Sequence, residues 1–282
     1  MVQTIIIIIL TVVLAPIIGG LLSGVDRIIT ARMQSRVGPP LIQPFYDFFK
    51  LLGKENIVVS RYQMLYVIAN LVLMITSLVL FMLKQDLLMI IFIMAFGSIA
   101  LILGAMSVQS PYSRIGGHRE IIQMMAYEPI LIFMVVGVFL QTKSFTLQSV
   151  LSMKQPLLYS MPLIFIALLF ILTIKLRKSP FDFSSSHHGH QELIRGLHTE
   201  FAGPQLALIE LAHWYELVLI MGFILIFWAT NIYIGIAIAF VSFVLEMVID
   251  NISARMTWKW MLWMSWILGI GLCLINIAFL YR

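Results

Sequence analysis

Ionisable side chains crowd into one connection of an otherwise apolar sequence, between Pro180 and Pro204. The connection reads PFDFSSSHHGHQELIRGLHTEFAGP, and its titratable members are Asp182, His187, His188, His190, Glu192, Arg195, His198 and Glu200. Histidine titrates near neutral pH, so the cluster suits proton relay or proton uptake. Docking of another subunit is a second use that the sequence leaves open. We predict no metal site, because no fourth ligand stands at metal-binding spacing.

A second ionisable set lies inside the apolar segment that follows. Glu210, His213 and Glu216 are three residues apart and on a helix would occupy one arc of about 120°. Charged side chains near the middle of a membrane cost about 2.5–3.5 kcal/mol each on insertion scales, so they usually mark an ion or proton route. We predict a stripe that passes protons. The alternative is a Glu–His hydrogen bond that only holds neighbouring helices together.

Another carboxylate, Glu128, lies in an earlier apolar segment between Tyr127 and Pro129. Proline has no N–H, so Pro129 frees a backbone carbonyl close to this carboxylate, which suits a kinked or hydrated site. A buried ion pair with an arginine is the alternative. We expect Gly116-Gly117 to break the backbone before this segment begins.

The composition is that of an integral membrane protein. Of the 282 residues, 61% are hydrophobic and 11% are charged, whereas soluble domains carry about 25% charged residues. We therefore predict a single transmembrane domain over residues 1–282, with no soluble domain and no cleaved signal peptide. The net charge of +5 follows the membrane pattern described below, so no nucleic-acid partner is expected. The single cysteine, Cys273, excludes a disulfide, a cysteine-ligated cluster and thiolate-held nickel within this chain.

Hydrophobic runs of about 20 residues are long enough to cross a bilayer. We predict an all-α fold of about eight spans: Thr4–Gly24, Met64–Leu83, Leu87–Val108, Arg119–Leu140, Leu157–Leu176, Leu206–Trp228, Ile232–Ile249 and Trp258–Tyr281. The turns at Lys84–Asp86 and Ala229–Asn231 are short, so they should join antiparallel hairpins. The remaining connections, over 25–63, 109–120, 177–205 and 250–257, are predicted to be cytoplasmic loops.

The basic residues are distributed asymmetrically between the two sides of these spans. With eight spans, 14 of the 18 Lys and Arg residues fall on the side opposite the termini. Positive residues are retained on the cytoplasmic side. We therefore predict a multi-pass protein of the cell membrane, with its termini outside and its four long loops in the cytoplasm.

The first of these loops contains a predicted amphipathic helix. Gly38-Pro39-Pro40 forces a turn, after which Leu41, Phe45, Phe48, Phe49 and Leu52 recur at helical spacing, opposite Asp47 and Lys50. Such a helix lies in the membrane interface. It is either a collar that seats a soluble partner or a plain surface anchor.

Charged residues around the first two loops are candidates for docking. Arg27, Arg32 and Arg36 are four or five residues apart, so they could line one face of a helical extension of the first span. Their partners would be anionic lipid headgroups or the acids of a docked subunit. The predicted docking set is Asp26, Arg27, Arg32, Arg36, Asp47, Arg114 and Arg119.

Three stretches resemble a known family over the whole chain. DRIITARMQSRVGPPLIQPFYDFFKLLGKE in the first loop, GGHREIIQMMAYEP in the second, and SPFDF with QELIRGLHTEFAGP in the third are similar to the quinone-site membrane subunit of respiratory complex I. They resemble still more closely the membrane-anchor subunit of energy-converting, group 4, Ech-type [NiFe] hydrogenases. The His-rich run, where complex I versions carry an acidic one, points to the hydrogenases.

The resemblance implies a role for the acids. It places family glutamates on Glu128, Glu192 and Glu200, and with the stripe above gives an ion-coupling set of Glu128, Glu192, Glu200, Glu210, His213 and Glu216. Asp182, His187, His188 and His190 form a possible proton relay. No catalytic residue is expected in this chain.

The resemblance also implies partners. They are hydrogenase large and small subunits, a ferredoxin-like cluster subunit and an antiporter-like membrane subunit, with the [NiFe] centre and [4Fe–4S] clusters in those partners and none in this chain. The implied function is to dock a ferredoxin-dependent, H2-evolving hydrogenase and to couple it to H+ or Na+ translocation. The alternatives are a formate- or CO-linked hydrogenase, a quinone- or methanophenazine-reducing complex, and a passive anchor. A secondary transporter is disfavoured, since no inverted repeats with broken helices are evident.

Overall fold

Helices make up almost all of the chain that the computed structural model describes, which is residues 2–57, 59–178, 180–181, 184 and 195–281. Twelve α-helices run through these residues: α1 Val2–Met33, α2 Gln43–Leu52, α3 Gln63–Met82, α4 Leu87–Met106, α5 Pro111–Thr142, α6 Leu147–Leu151, α7 Leu157–Ser160, α8 Pro162–Lys175, α9 Pro204–Leu225, α10 Ile232–Ile252, α11 Trp258–Met264 and α12 Gly271–Leu280. Short 3-10 segments cover Gly196–His198 and Ile226–Trp228, and a π-helical segment, Ser265–Ile270, joins α11 to α12. The predicted all-α fold is confirmed.

Seven helical segments of the described chain are long and apolar enough to cross a membrane: α1, α3, α4, α5, α9 with its 3-10 extension, α10, and the continuous stretch from α11 to α12. An eighth, α8, is apolar but spans only Pro162–Lys175. The prediction of about eight spans agrees with this arrangement. The protein is therefore a multi-pass membrane protein.

The fifth predicted span is divided in two. Helix α7 ends at Ser160 and α8 begins at Pro162, with Met161 between them outside helical geometry. Asn276 of α12 supplies the missing cap: its Oδ1 accepts hydrogen bonds from the N–H groups of Leu163 (2.9 Å) and Ile164 (3.2 Å). Its Nδ2 donates to the carbonyl of Ser160 at 3.0 Å. Because buried backbone groups need partners, the break is stable only when α12 packs on α8.

Both predicted hairpin turns are present. Lys84 has φ of 59°, and Asp86 then caps α4 by accepting from the N–H of Leu88. Asn231 caps α10 in the same way, through the N–H of Tyr233. Short polar side chains at these positions start a helix abruptly, because they satisfy N–H groups that have no partner inside the helix.

The predicted break at Gly116-Gly117 is wrong. Helix α5 runs without interruption from Pro111 to Thr142. A Cβ on Gly116 would overlap the backbone nitrogen of Leu197, so this glycine is a contact point for the 3-10 segment. Glycine in a helix costs only about 1 kcal/mol relative to alanine, and close packing outweighs that cost here.

The bundle packs around α9. Helices α1, α3, α8 and α10 all contact it, while α4 joins α3 to α5, and α12 closes the other side against α5 and α8. The carboxyl-terminal half of α1, the amphipathic helix α2 and the 3-10 segment Gly196–His198 lie at one end of this bundle. That end is called the α2 end below, and the ionisable residues gather there.

Candidate functional site

Helix α2 lies over α1 and α9 and is fixed there by aromatic contacts. The rings of Phe45 and Phe48 lie 5.3 Å and 5.7 Å from that of Trp214, measured between centroids. Gly20 of α1 makes room for Phe45, since a Cβ there would come within 2.5 Å of the phenyl ring. The predicted helix in the first loop is confirmed, and its apolar face is directed at α9.

An ion pair fixes the polar side of α2. Arg27 Nη1 of α1 donates to Asp47 Oδ2 at 2.5 Å, and Gln43 Nε2 donates to Asp47 Oδ1 at 3.1 Å. Partial burial opposes ionisation of Asp47, but the hydrogen bonds and the positive charge of Arg27 outweigh it and lower the pKa of the carboxyl. Two residues of the predicted docking set, Arg27 and Asp47, are thus bound to each other.

A cavity of about 790 Å³ lies beneath α2. Its wall is rich in ionisable groups: Asp26, Arg27, Arg36, Asp47, Lys50, Lys54, Glu120, Arg177, Arg195, His198, Glu210, His213, Glu216 and Asp250. The predicted stripe on α9, Glu210, His213 and Glu216, therefore faces one shared space. The three-residue spacing is responsible, because it keeps the three side chains on one side of the helix.

Glu120 of α5 joins the third connection to this cavity. It is buried, accepts a short hydrogen bond from the Ser184 hydroxyl, and lies 4.0 Å from Arg177 Nη2. Arg177 Nη1 in turn lies 3.4 Å from His198 Nε2. The Gln123 amide, oriented by its neighbours, donates to Glu120 Oε2 at 3.1 Å. A carboxylate with this many donors is held in one position.

The wall of the cavity beyond His213 is formed by a buried ion pair. Lys175 Nζ, at the end of α8, donates to Glu216 Oε1 at 2.7 Å, and the two side chains are only 5% and 11% exposed. The other oxygen, Glu216 Oε2, lies 3.5 Å from His213 Nδ1. Lys175 Nζ also lies 3.9 Å from the centroid of the Tyr127 ring, a cation–π contact.

A second buried cation lies one helical turn further along. Lys178 forms a short ion pair with Asp26, and its ammonium lies 5.8 Å from the ring centroid of Phe243. Asp26 belongs to the predicted docking set, yet its charge is used inside the chain. Glu246 of α10 is 1% exposed, and Lys178 acts on it electrostatically.

Glu128 lies apart from the cavity. It is half-buried on α5, does not line the cavity wall, and its Oε1 has no hydrogen-bond partner within the described chain. Lys175 is close enough to act on it electrostatically. The structure therefore separates Glu128 from Glu210 and Glu216, and Lys175 lies between the two groups.

The remaining predicted residues are placed less directly. Glu200 is half-buried outside the cavity wall, and its backbone carbonyl accepts from Gln63 Nε2 at 3.5 Å. Asp182, His187, His188, His190 and Glu192 lie outside the described residues, so the predicted relay is not tested. Within the described chain no cluster of three or more His, Cys, Asp or Glu side chains could hold a metal ion.

The other docking candidates lie near the α2 end. Arg32 is in the last turn of α1, and Arg36, which follows that helix, donates a short hydrogen bond to Gln34. Arg114 Nε donates to the carbonyl of Val108 at 3.3 Å, and Arg119 lies one turn further along α5. Their docking role stays a prediction.

Three residues of the site were missing from the predicted set: Glu120, Lys175 and Lys178. The two lysines fitted the positive-inside pattern so well that nothing in the sequence set them apart from surface charges. Glu120 had a usable signal, because it is two helical turns before Glu128, but its partners come from a distant connection.

The comparison with known families identifies the chain. The family model described as NADH dehydrogenase matches residues 4–281. The chain belongs to this family. A subunit of the NADH-quinone oxidoreductase of Syntrophobacter fumaroxidans is 25% identical over 309 aligned positions, covering 95% of this chain and 92% of that protein. The corresponding protein of Syntrophotalea carbinolica is 27% identical over 225 positions, covering 69% and 67%.

Family membership agrees with a likeness in fold. The structure of a membrane-bound sulfane sulfur reductase, an archaeal respiratory membrane complex, contains a chain that superposes with a TM-score of 0.86 at 22% identity, covering 99% of both chains. The resemblance to the quinone-site membrane subunit of complex I is therefore confirmed. This protein is a complex I-like membrane subunit of a respiratory membrane complex, and its relatives function alongside other subunits.

Proposed function

We propose that this subunit docks a redox arm at its α2 end and couples the arm's reaction to the movement of H+ or Na+ across the cell membrane. The observation that carries the proposal is the shared cavity: three ionisable residues of one helix, Glu210, His213 and Glu216, line it directly beneath α2. Buried ionisable groups within a membrane protein are costly, and a passive anchor does not need three of them in one wall.

The redox arm is, in this proposal, a ferredoxin-dependent, H2-evolving [NiFe] hydrogenase. Support comes from the first loop and from the His-rich run over 187–190, which resemble Ech-type enzymes. Cys273, the single cysteine, is buried in α12. The [NiFe] centre and [4Fe–4S] clusters therefore belong to hydrogenase large and small subunits and a ferredoxin-like cluster subunit, and the ions pass to an antiporter-like membrane subunit.

A sulfane sulfur reductase is the second candidate. The observation that favours it is the superposition over 99% of both chains with a protein of that complex. The two candidates share the docking and coupling roles of this subunit and differ only in the reaction of the arm. Formate- or CO-linked hydrogenases and quinone- or methanophenazine-reducing complexes differ in the same way.

Coupling proceeds in three steps. The arm is seated on α2 and the loop before it. Turnover in the arm shifts the charge or position of the connection over 177–205, which reaches the cavity through Arg177, Arg195 and His198. Glu120 then receives this change, because it is already paired with Arg177 and Ser184, and the α9 stripe with Glu128 conveys it sideways into the membrane.

Purification of the intact complex from native membranes tests the identity of the arm. The hydrogenase proposal predicts nickel in the complex and H2 evolution from reduced ferredoxin. A nickel-free complex that reduces sulfane sulfur would replace it with the second candidate. Reduction of a quinone or methanophenazine would reject both.

Substitutions within the membrane test the coupling role. Glu128→Gln and Glu210→Gln should leave H2 evolution in detergent largely intact but abolish ion uptake into vesicles. Glu55→Gln, at an exposed position on the loop after α2, is the matched control and should leave both unchanged. If both variants pump at the native ratio of ions to H2, or only reduce the yield of complex, the subunit is a passive anchor.

A further inference from the structure

The buried ion pair between Lys175 and Glu216 lies between two carboxylates that the proposed function needs to connect. On one side is the cavity, whose wall includes Glu216 and His213 but not Lys175. On the other side is Glu128, which is absent from the cavity wall. Lys175 is therefore the residue of this group that stands next to both carboxylates.

Lys175 is bonded on one side only. Its ammonium carries three donors, of which one bonds to Glu216 Oε1 at 2.7 Å. The Tyr127 ring, 3.9 Å from the ammonium nitrogen, offers a second, weaker contact. Tyr127 directly precedes Glu128 on α5, so the ring lies on the route from one carboxylate to the other. The four-carbon stem of lysine is flexible enough to change partners while the ammonium stays over the ring.

The second carboxylate has an unmet need for a donor. Glu128 Oε1 is buried and has no hydrogen-bond partner in the part of the chain that the structure describes. An unsatisfied buried oxygen costs about 1–3 kcal/mol, and an unpaired buried carboxylate costs more. A move of Lys175 toward Glu128 would satisfy it, at the expense of Glu216.

We propose that Lys175 is an exchangeable cation that controls proton transfer between the cavity and Glu128, which deepens the coupling role proposed above. In the resting arrangement Lys175 is paired with ionised Glu216, and Glu128 carries a proton. When Glu216 takes a proton from the cavity, Lys175 moves to Glu128, and the Glu128 proton leaves towards the neighbouring membrane subunit. Glu216 then passes its proton to Glu128 and Lys175 returns. One proton enters, one leaves, and Lys175 keeps its own.

Infrared difference spectroscopy of the intact complex tests the exchange directly. The C=O band of protonated Glu128 is identified by its loss in Glu128→Gln. In Glu216→Gln the cation has no other carboxylate to pair with, so the Glu128 band should be lost at neutral pH. Adding Lys175→Gln to that variant should restore the band. Lys154→Gln, at an exposed loop position, is the control and should change nothing.

A Glu128 band that is unchanged in Glu216→Gln would overturn the proposal, since a static ion pair has no effect on Glu128. If Glu216→Gln does not assemble, the native complex provides the same test. During turnover the Glu128 band should fall as a Glu216 band rises, and Lys175→Gln should abolish this paired change. A paired change that persists without Lys175 would equally overturn it.

Ion transport separates this proposal from the function on which it rests. Lys175→Gln should lower the ratio of ions moved to redox turnover at least tenfold, and Lys175→Arg should recover part of it because the cation is retained. If Glu128→Gln abolishes transport while Lys175→Gln does not, coupling stands and the exchange fails. If the band exchanges but no variant affects transport, the coupling role fails instead.

Discussion

The indole nitrogen of Trp266 donates to the carbonyl of Met125 at 3.1 Å. That carbonyl is the one that Pro129, four residues later on α5, cannot bond, because proline has no N–H. Ser265 donates a short bond to the next carbonyl, of Ala126. Both donors belong to the π-helical segment between α11 and α12, whose extra residue per turn redirects side chains. The kink beside Glu128 is thus held by the last span.

Loss of this bond should be measurable. Trp266→Phe leaves the Met125 carbonyl without its donor and should destabilise the subunit by about 0.6 kcal/mol, up to about 1.7, as for other hydrogen bonds between membrane helices. Thermal unfolding of the purified complex provides the measurement. Trp263→Phe, on an exposed indole of α11, is the control.

A double-mutant cycle makes the test specific to Pro129. In a Pro129→Ala background the Met125 carbonyl regains a partner within α5, so Trp266→Phe should cost less there than in the native chain. Equal costs in both backgrounds would show that the indole stabilises the helix by packing alone.

The break between α7 and α8 should depend on Asn276. Asn276→Leu removes one acceptor and one donor from three backbone bonds in a buried position. We expect a loss of about 1–3 kcal/mol and a reduced yield of assembled complex. Ile275→Leu, on the adjacent exposed position, should be neutral. A neutral Asn276→Leu would mean that Pro162 alone maintains the break.

The attachment of α2 should weaken in acid. Arg27 lowers the pKa of Asp47, so this pair contributes stability that is fully present above the usual carboxyl pKa and is lost as the pH falls through the lowered one. Both side chains are about 40% exposed, 44% and 39%, which limits the gain to about 0.2–1 kcal/mol. Limited proteolysis of α2 should therefore accelerate in acid in the native chain.

The Asp47→Asn variant isolates that effect. It should be cleaved faster than the native chain at neutral pH and should lose the part of the acid dependence that belongs to this pair. Lys50→Gln, on the same helix, is the control. An acid response that is identical in native and Asp47→Asn chains would assign it to other groups.

Two adjacent glycines of α5 should respond oppositely to alanine. A Cβ on Gly116 would overlap the backbone of Leu197, and backbone cannot yield without moving the whole 3-10 segment. A Cβ on Gly117 would meet the flexible Met106 side chain at 3.1 Å. Gly116→Ala should thus displace the segment that carries His198 and lower complex yield, while Gly117→Ala should be tolerated. Equal tolerance would show that the segment is loosely held.

Local features of the sequence were sufficient for most helices. Runs of apolar residues located the spans, the turn before Leu41 and the helical spacing of Phe45 and Phe48 located α2, and the short polar turns located both hairpins. These signals act within a few residues along the chain, so no tertiary contact is needed to interpret them. The two errors in helix continuity have the opposite origin: Gly116 is helical because Leu197 packs on it, and α8 begins at Pro162 because Asn276, over a hundred residues away, caps it.

The sequence by itself also determined that Glu210, His213 and Glu216 face one way, because a three-residue spacing on a helix permits nothing else. Only the tertiary structure decided what they face. It placed them in a cavity beneath α2, paired Glu216 with Lys175 of another helix, and left Glu128 on the far side of that lysine. The reason is physical: helical periodicity fixes directions within one helix, whereas ion pairing across helices depends on how the helices pack.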